Sequence, residues 1–276
     1  MKSLVSTDWL AEHLDEPTIV VLAVVGLKDD QDALIEENET FIPGTRIFDL
    51  KGSFKDQNSP LPNTVPSPTD FQNAVQALGI NQNDTIILYD RQGVYSAPRA
   101  WWLFKVMGHD QVQVLDGGLP KWKNENKSTQ SILAFAAMMG NFTANYQDHL
   151  YRSMSDIQAN VEQASEIVLD ARSEGRFKGT APEPRAGLDS GHIPGSKSLP
   201  FTEVVADGQY KSEEELQQIF QDKVSDDQAL VFSCGSGITA CIIMLAADQV
   251  TDRPKALFDG SWTEWASTPG NPITQD

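Results

Sequence analysis

The residue in this sequence with the clearest chemical potential is Cys234. It follows a short apolar run and opens the segment Cys-Gly-Ser-Gly-Ile-Thr, which leads into a second apolar stretch, residues 240–247. A thiol between a buried strand and a helix lies where backbone N–H groups converge, and these favour a thiolate, the nucleophilic form. The glycines at 235 and 237 suit a tight loop better than a packed core. We therefore predict that Cys234 is a nucleophile, whereas Cys241, two helical turns later, faces the core.

The sequence lacks the motifs of cysteine phosphatases, of common metal sites and of phosphate-binding loops. A cysteine phosphatase closes its loop with an arginine in the pattern Cys-x₅-Arg, and position 240 is alanine. Metal sites of the Cys-x-x-Cys or paired-histidine type have no counterpart. No phosphate loop of the Gly-x₄-Gly-Lys type occurs either. We expect neither a metal ion nor a bound cofactor.

The elements that must position Cys234 are strands that alternate with amphipathic helices. Helices are expected where Ser6, Ser155, Ser67 and Ser212 precede apolar residues at helical spacing. Short apolar runs, several of them rich in β-branched residues, predict buried strands at 19–25, 85–89, 112–115, 167–169, 229–232 and 256–258. Such alternation predicts an α/β fold with mainly parallel sheets flanked by helices.

The pattern occurs twice. Phe41-Ile-Pro-Gly-Thr-Arg resembles His192-Ile-Pro-Gly-Ser-Lys, and Leu115-Asp-Gly-Gly resembles Phe258-Asp-Gly-Ser. Matches in the same order at offsets of 151 and 143 residues indicate an internal duplication. We predict a first domain over 1–126, a linker over 127–150 and a second domain over 151–276. Asp90 stands at the position of Cys234 in the first copy, so we expect only the second domain to be catalytic.

Composition narrows the function classes. The chain has 276 residues, with 21 basic and 39 acidic side chains and a formal net charge of −18. This acidity argues against nucleic-acid binding, which needs a basic face. The longest apolar run, 19–27, is too short to span a membrane, and acidic rather than basic residues precede it, unlike a signal peptide. We expect a cytoplasmic protein in which a few local arginines capture any anionic substrate.

With these motifs the sequence resembles the two-domain rhodanese-type sulfurtransferases over nearly its whole length. The loop at Cys234 is similar to that of the 3-mercaptopyruvate branch, and it lacks the basic residues usual in the thiosulfate branch. The other matching motifs are Asp170-Ala-Arg, Arg176-Phe-Lys-Gly, Glu183-Pro-Arg, Gly191-His-Ile-Pro-Gly, Asp259-Gly-Ser-Trp-Thr-Glu-Trp and Tyr95-Ser-Ala-Pro-Arg.

The resemblance implies sulfur transfer from 3-mercaptopyruvate through a Cys234 persulfide, with release of pyruvate and a thiol such as thioredoxin, or cyanide, as acceptor. It also implies which residues bind the substrate: Arg176, Arg185, Tyr95, Gly235, Ser236, Gly237, Ile238 and Thr239. A guanidinium can grip a 2-oxo acid's carboxylate through two hydrogen bonds. A packed interface aromatic remains an alternative for Tyr95, and a structural role is expected for Arg172 and for His192.

The sequence departs from the family at two positions. An acidic residue and a histidine proposed to form a relay with the loop serine are replaced by Lys51 and Asn63. These replacements put the proton route in question but leave the nucleophile in place. Two alternative functions stay open, a thiosulfate:cyanide sulfurtransferase and a non-catalytic rhodanese-like binding module.

Overall fold

The computed structural model describes residues 2–26, 39–224 and 227–276, which cluster into two compact units. Unit 1 consists of Met1–Asn58, Val65–Gln147 and Asp207–Tyr210. Unit 2 consists of Ser59–Thr64, Asp148–Ala206 and Lys211–Asp276. Residues 127–147, placed in a linker by the sequence, pack within unit 1; the domain limits given above stay a prediction.

Unit 1 is a parallel sheet flanked by helices. Its strands are β1 (Leu4–Val5), β2 (Ile19–Val25), β3 (Arg46–Asp49), β4 (Thr85–Tyr89) and β5 (Val112–Leu115), and its helices are α1 (Thr7–His13), α2 (Pro68–Ala77), α3 (Ala97–Val106) and α4 (Gly118–Asn124). The strands pair in the order β1-β5-β4-β2-β3, and every pairing is parallel. One core cluster lies where α1 and α4 pack on the sheet, around Leu10, Val21 and Trp122.

Unit 2 repeats this architecture. Its strands are β6 (Tyr151–Arg152), β7 (Glu166–Asp170), β8 (Lys197–Ser198), β11 (Ala229–Ser233) and β12 (Lys255–Phe258), and its helices are α5 (Met154–Gln163), α6 (Glu174–Lys178), α7 (Glu213–Lys223), α8 (Thr239–Val250) and α9 (Ser261–Ser267). The order β6-β12-β11-β7-β8 is again fully parallel.

Several short elements connect these. The strands β9 (Val205–Ala206) and β10 (Gln209–Tyr210) flank a turn at Asp207 and Gly208, and 3₁₀ turns occupy Asp148–Leu150 and Phe201–Glu203. The repeated strand order confirms the predicted α/β fold with two similar parallel sheets.

Three of the four helices predicted from a capping serine begin at that serine. Ser6 and Ser67 accept backbone N–H bonds at the starts of α1 and α2. Ser212 forms a capping box at α7, whereas the first helix of unit 2 begins earlier than predicted, because Ser153 rather than Ser155 caps it. A reciprocal bond between Ser153 and Asp156 decides this.

One loop begins at Asp90, after β4, and the other begins at Cys234, after β11. The helices that follow them, α3 and α8, are among the most buried of the molecule. Nearly all of α3 is buried, including Arg99, and in α8 residues 240–247 are all buried. A helix that is apolar all round must lie inside the fold. Each therefore fixes the loop before it, the first at Asp90 and the second at Cys234.

Candidate active site

Cys234 lies directly after β11, at the carboxyl end of a central strand. Its side chain is buried, with a residue exposure of 2%, and the backbone N–H of Gly237 donates to its Sγ at 3.2 Å. The loop 234–238 then leads into α8, whose first residue is Thr239. The thiol therefore occupies the predicted position, between a buried strand and the start of a long helix.

Two glycines of this loop serve different purposes. Gly237 has φ of +78°, which side-chain-bearing residues rarely adopt. A Cβ on Gly235 would lie 3.0 Å from Nη2 of Arg176 and 3.9 Å from Nη1 of Arg185. The missing side chain at 235 therefore gives Arg176 its close approach to the loop backbone, whereas Arg185 lies at ordinary contact distance from the same point.

A second segment of unit 2, residues 261–263, holds the Cys234 loop by hydrogen bonds. After β12, the backbone N–H of Trp262 donates to the Cys234 carbonyl at 2.9 Å, and that of Thr263 donates to the Gly235 carbonyl at 3.0 Å. The hydroxyl of Ser261 accepts from the N–H of Cys234 at 3.2 Å. The motif Asp-Gly-Ser-Trp therefore fixes the Cys234 loop, a role that its sequence match alone did not indicate.

The two predicted arginines are brought together at Gly235. Arg176 lies on the short helix α6, and Arg185 lies in the following connection, where its Nη1 donates to the Thr263 hydroxyl at 3.1 Å. The same hydroxyl donates to the Gly235 carbonyl at 2.6 Å. Two cations beside a buried thiol can hold a small anion next to its sulfur.

Behind Arg176 lies a buried chain of charges. Arg172 makes hydrogen bonds through Nε and Nη2 to Asp170, and its Nη1 donates to Glu183 at 2.7 Å. Burial alone would lower the pKa of Arg172, but Asp170 and Glu183 outweigh it, so that pKa is raised. Its guanidinium also lies 4.1 Å from the ring centre of Trp262. These contacts fit the structural role expected for Arg172.

Ser236 is held by a residue distant in sequence. Nδ2 of Asn63 donates to the Ser236 carbonyl at 3.0 Å and lies 3.1 Å from the Ser236 hydroxyl. A carbonyl oxygen can only accept, so the amide nitrogen of Asn63 is the atom that faces Ser236, and the hydroxyl must accept as well. Position 63 therefore still contacts the loop serine, with a group that does not titrate.

The remaining residues of interest serve the framework. Cys241 is buried in α8 and its thiol donates to the Gly237 carbonyl at 3.3 Å; it is not joined to Cys234. His192 is buried, stacks on Phe177 and contacts the Phe177 carbonyl through Nδ1 at 3.0 Å. Ile238 is buried at the start of α8.

In unit 1 the corresponding loop closes on itself. Asp90 follows β4 and is buried; its Oδ2 accepts the backbone N–H groups of Tyr95, Ser96 and Ala97 at 2.7–2.9 Å. Its Oδ1 accepts the N–H of Gln92 at 2.8 Å. Tyr95, predicted to contact substrate, is thus placed through its backbone in the unit 1 loop. Lys51 also lies in unit 1, where its N–H bonds to Asp49.

The sequence missed the two side chains that orient these groups, Asn63 and Glu183. Glu183 stood in a matched motif, and Asn63 was noticed only as a departure. Among the described residues, no cluster of three His, Cys, Asp or Glu side chains could hold a metal ion. None of the helices described is both long and apolar enough to cross a membrane.

Comparison with known proteins connects this geometry to characterised chemistry. The family model "Rhodanese-like domain" matches residues 6–125 and 153–268. The chain is 36% identical over 274 residues to the 3-mercaptopyruvate sulfurtransferase of Escherichia coli strain K12, covering 98% of this chain and 96% of that protein. It is 37% identical over 294 residues to thiosulfate/3-mercaptopyruvate sulfurtransferase 1, mitochondrial, of Arabidopsis thaliana, covering 98% of this chain and 77% of that one.

A solved structure agrees in fold. The crystal structure of SseA from Escherichia coli, described as one of the 3-mercaptopyruvate sulfotransferases, superposes with a TM-score of 0.85 at 32% identity. The match covers 95% of this chain and 99% of that one.

Proposed function

The chain belongs to the rhodanese-like family, and on that premise we propose that it is a sulfurtransferase that moves sulfur from 3-mercaptopyruvate to a thiol or cyanide. The relatives named above carry this activity in their names. The structural observation that carries the proposal is the buried Cys234 Sγ, which accepts the Gly237 N–H beside two arginines that meet at Gly235.

In the first half-reaction Cys234, as thiolate, attacks the sulfur of 3-mercaptopyruvate. An S–S bond forms while the donor's C–S bond breaks, and the bonding electrons pass to the former methylene carbon as an enolate. The enolate takes up the proton that Cys234 lost and leaves as pyruvate. The transferred sulfur keeps its own hydrogen, so the product is a Cys234 persulfide.

In the second half-reaction a thiolate or cyanide attacks the outer sulfur of the persulfide. The S–S bond breaks, the sulfur leaves on the acceptor, and the Cys234 thiolate is restored. Backbone N–H donors such as that of Gly237 stabilise negative sulfur in both steps. A small protein thiol of the thioredoxin kind is the acceptor we propose. Since Asn63 does not titrate, the proton passes through water or substrate rather than a side-chain relay.

Substrate binding is assigned to the residues around this loop. Arg185 and Arg176 bind the donor's carboxylate and oxo group, supported by their approach to Gly235. Gly235, Ser236, Gly237, Ile238 and Thr239 form the wall that faces the donor. Tyr95 is also assigned to donor binding, on the matched motif alone.

Unit 1 is the non-catalytic copy in this proposal. Its loop carries Asp90 in place of a thiol, and the carboxylate already takes the N–H groups of that loop. The protein acts in the cytoplasm and without a cofactor. The cytoplasmic assignment comes from the sequence; the name of one relative, from Arabidopsis thaliana, places that relative in mitochondria.

The rival donor is thiosulfate, which one relative's name includes. The assignment is tested by steady-state rates for each donor. The donor concentration is varied at several constant concentrations of one thiol acceptor. We expect parallel double-reciprocal lines and a higher kcat/KM for 3-mercaptopyruvate. A higher kcat/KM for thiosulfate would reassign the donor. No turnover of either donor by the folded protein would leave a binding module.

A further inference from the structure

Glu183 is an acidic side chain inside a site that binds anions. Its carboxylate is 2% exposed and contacts two arginines. Oε1 accepts from Nη1 of Arg172 at 2.7 Å and from Nε of Arg176 at 3.1 Å, and Oε2 accepts from Nη2 of Arg176 at 2.6 Å. Arg176 is therefore held by a two-point fork before any substrate arrives.

The fork fixes the orientation of Arg176 at the loop. Nη2, one of the two nitrogens that Glu183 holds, is the atom that lies 3.0 Å from the Cβ position of Gly235. Within the part of the chain that the structure describes, Nη1 of Arg176 makes no hydrogen bond to protein. Glu183 thus leaves that edge of the guanidinium for a ligand.

The charges of this network can be counted. Asp170 and Glu183 are negative, and Arg172 and Arg176 are positive, so the four side chains sum to zero. Arg185 is different: among the described residues no carboxylate lies within 4.0 Å of it, and its partner is the Thr263 hydroxyl. The guanidinium groups beside Gly235 therefore offer one uncompensated positive charge.

We propose that Glu183 sets the charge of the donor that this site accepts, by neutralising Arg176 so that a singly charged carboxylate is matched and a doubly charged thiosulfate is disfavoured. 3-Mercaptopyruvate brings one negative charge at neutral pH, and thiosulfate brings two. Since the site is partly buried, an unmatched second charge is poorly screened. Glu183 acts through Arg176 as a positioning residue. This inference rests on the proposed function.

The test removes the charge and keeps the shape. In Glu183→Gln the amide oxygen can still accept from Arg172 and from Nε of Arg176, but its NH₂ group cannot accept from Nη2. We expect kcat/KM for thiosulfate to rise about tenfold relative to that for 3-mercaptopyruvate, because its second negative charge then meets an uncompensated Arg176. Glu183→Asp, which keeps the charge, should lower both values and keep their ratio.

Glu174→Gln is the matched control. Glu174 lies on α6 two residues before Arg176 and pairs with Lys178 at 2.7 Å, so its loss changes net charge equally without touching an arginine. We expect its donor ratio to stay within about twofold of wild type, since exposed charges are screened. An unchanged ratio in folded Glu183→Gln, or the same change in both variants, would overturn the proposal.

Two further measurements separate this inference from the proposed function. In a Cys234→Ser background, calorimetric titration with thiosulfate measures binding without sulfur transfer, and Glu183→Gln should tighten it even if the protein has no turnover. Unaltered binding contradicts the proposal. If Glu183→Gln does not fold, Thr263→Asp adds a carboxylate beside Arg185 and leaves Glu183 in place. Thiosulfate should then lose more affinity than 3-mercaptopyruvate, and equal losses count against the proposal.

Discussion

The two central loops of the molecule begin at the same place in equivalent sheets and satisfy their N–H groups in opposite ways. After β4, three successive N–H groups point at the carboxylate of Asp90, which belongs to the loop itself. After β11, the N–H of Gly237 points at the sulfur of Cys234, and two arginines lie against the glycine that follows. One loop carries its own anion, whereas the other, as we propose, receives the anionic donor.

The contrast shows how little of the fold differs between the copy that carries Asp90 and the copy that carries Cys234. Strand order and parallel pairing are shared, as is a buried helix after the loop. The differences are the residue at the strand end and the side chains that reach the loop from elsewhere. Fold alone therefore does not assign chemistry; the loop does.

The largest expected effect comes from removing the thiol. Cys234→Ser should lower sulfur transfer by at least about four orders of magnitude, because a serine hydroxyl is not ionised near neutral pH and forms no persulfide. Cys241→Ala, in the same unit, should keep most activity. Pyruvate release measures both. Comparable losses in the two variants would contradict the contrast between a reactive and a core thiol.

Removing a cation beside Gly235 ranks second. Arg185→Ala should lower kcat/KM for 3-mercaptopyruvate about 100-fold, since a charge-assisted bidentate contact is lost. Arg152→Ala, which removes an arginine paired with Glu166 elsewhere in unit 2, is the control and should leave kcat/KM nearly unchanged. Steady-state kinetics report the outcome. If both variants keep wild-type kcat/KM, the arginine does not bind the donor.

Loosening Ser236 should have a moderate effect. Asn63→Ala removes the amide that holds the Ser236 carbonyl and hydroxyl, so we expect kcat to fall about tenfold with a smaller change in KM. Asn58→Ala alters an exposed asparagine nearby and should change neither value. A further variant, Asn63→His, should add a pH dependence near the pKa of histidine that the parent lacks. An unaltered kcat in Asn63→Ala would show that the loop needs no such support.

The loop of unit 1 is tested by stability rather than rate. Asp90→Asn puts an NH₂ group or a weaker acceptor against three backbone N–H donors, so we expect the free energy of unfolding to fall by about 2 kcal/mol. Asp110→Asn, at an exposed carboxylate of the same unit, should cost much less. Denaturant titration compares them, and equal costs would mean that Asp90 is not the internal anion described here.

The smallest effect concerns the segments after β5 and β12. Lys121 of unit 1 corresponds in sequence to Glu264 of unit 2. Partial burial, and then the nearby Asp259, raise the pKa of Glu264 above its ordinary value. Between the unfolded and folded pKa values the folded state binds more protons, so stability falls as pH rises through that window.

Glu264→Gln should therefore stabilise the protein at neutral pH by less than about 0.5 kcal/mol, because solvent screens this half-buried group. The gain should vanish at pH values below the unfolded pKa. Thermal melts at several pH values measure it. A loss of stability at neutral pH would contradict the assigned sign.

The sequence predicted the strand, the tight loop and the helix around Cys234 because their signals are local. A short apolar run, a cysteine and two glycines specify strand, thiol and tight loop within about ten residues. The duplicated motifs likewise predicted two similar α/β sheets. Such features follow from the conformational preferences of the residues themselves and do not depend on distant partners.

What the sequence could not predict depends on partners chosen by the tertiary fold. Asn63 meets Ser236 across 173 residues, and Glu183 joins two arginines that lie on different elements. The spacing of these residues along the sequence does not indicate either contact, since many other side chains could meet the same partners in the folded protein. Asn63 looked like a lost relay partner; its contact with Ser236 is present, but its chemistry is different.

The central claim is that only the loop at Cys234 takes up sulfur. Intact and peptide mass spectra after brief incubation with 3-mercaptopyruvate, without acceptor, test it directly. We predict the gain of one sulfur atom, located on the peptide that contains Cys234 and removed by dithiothreitol. No gain by the folded protein, or a sulfur found on Cys241, would contradict the account.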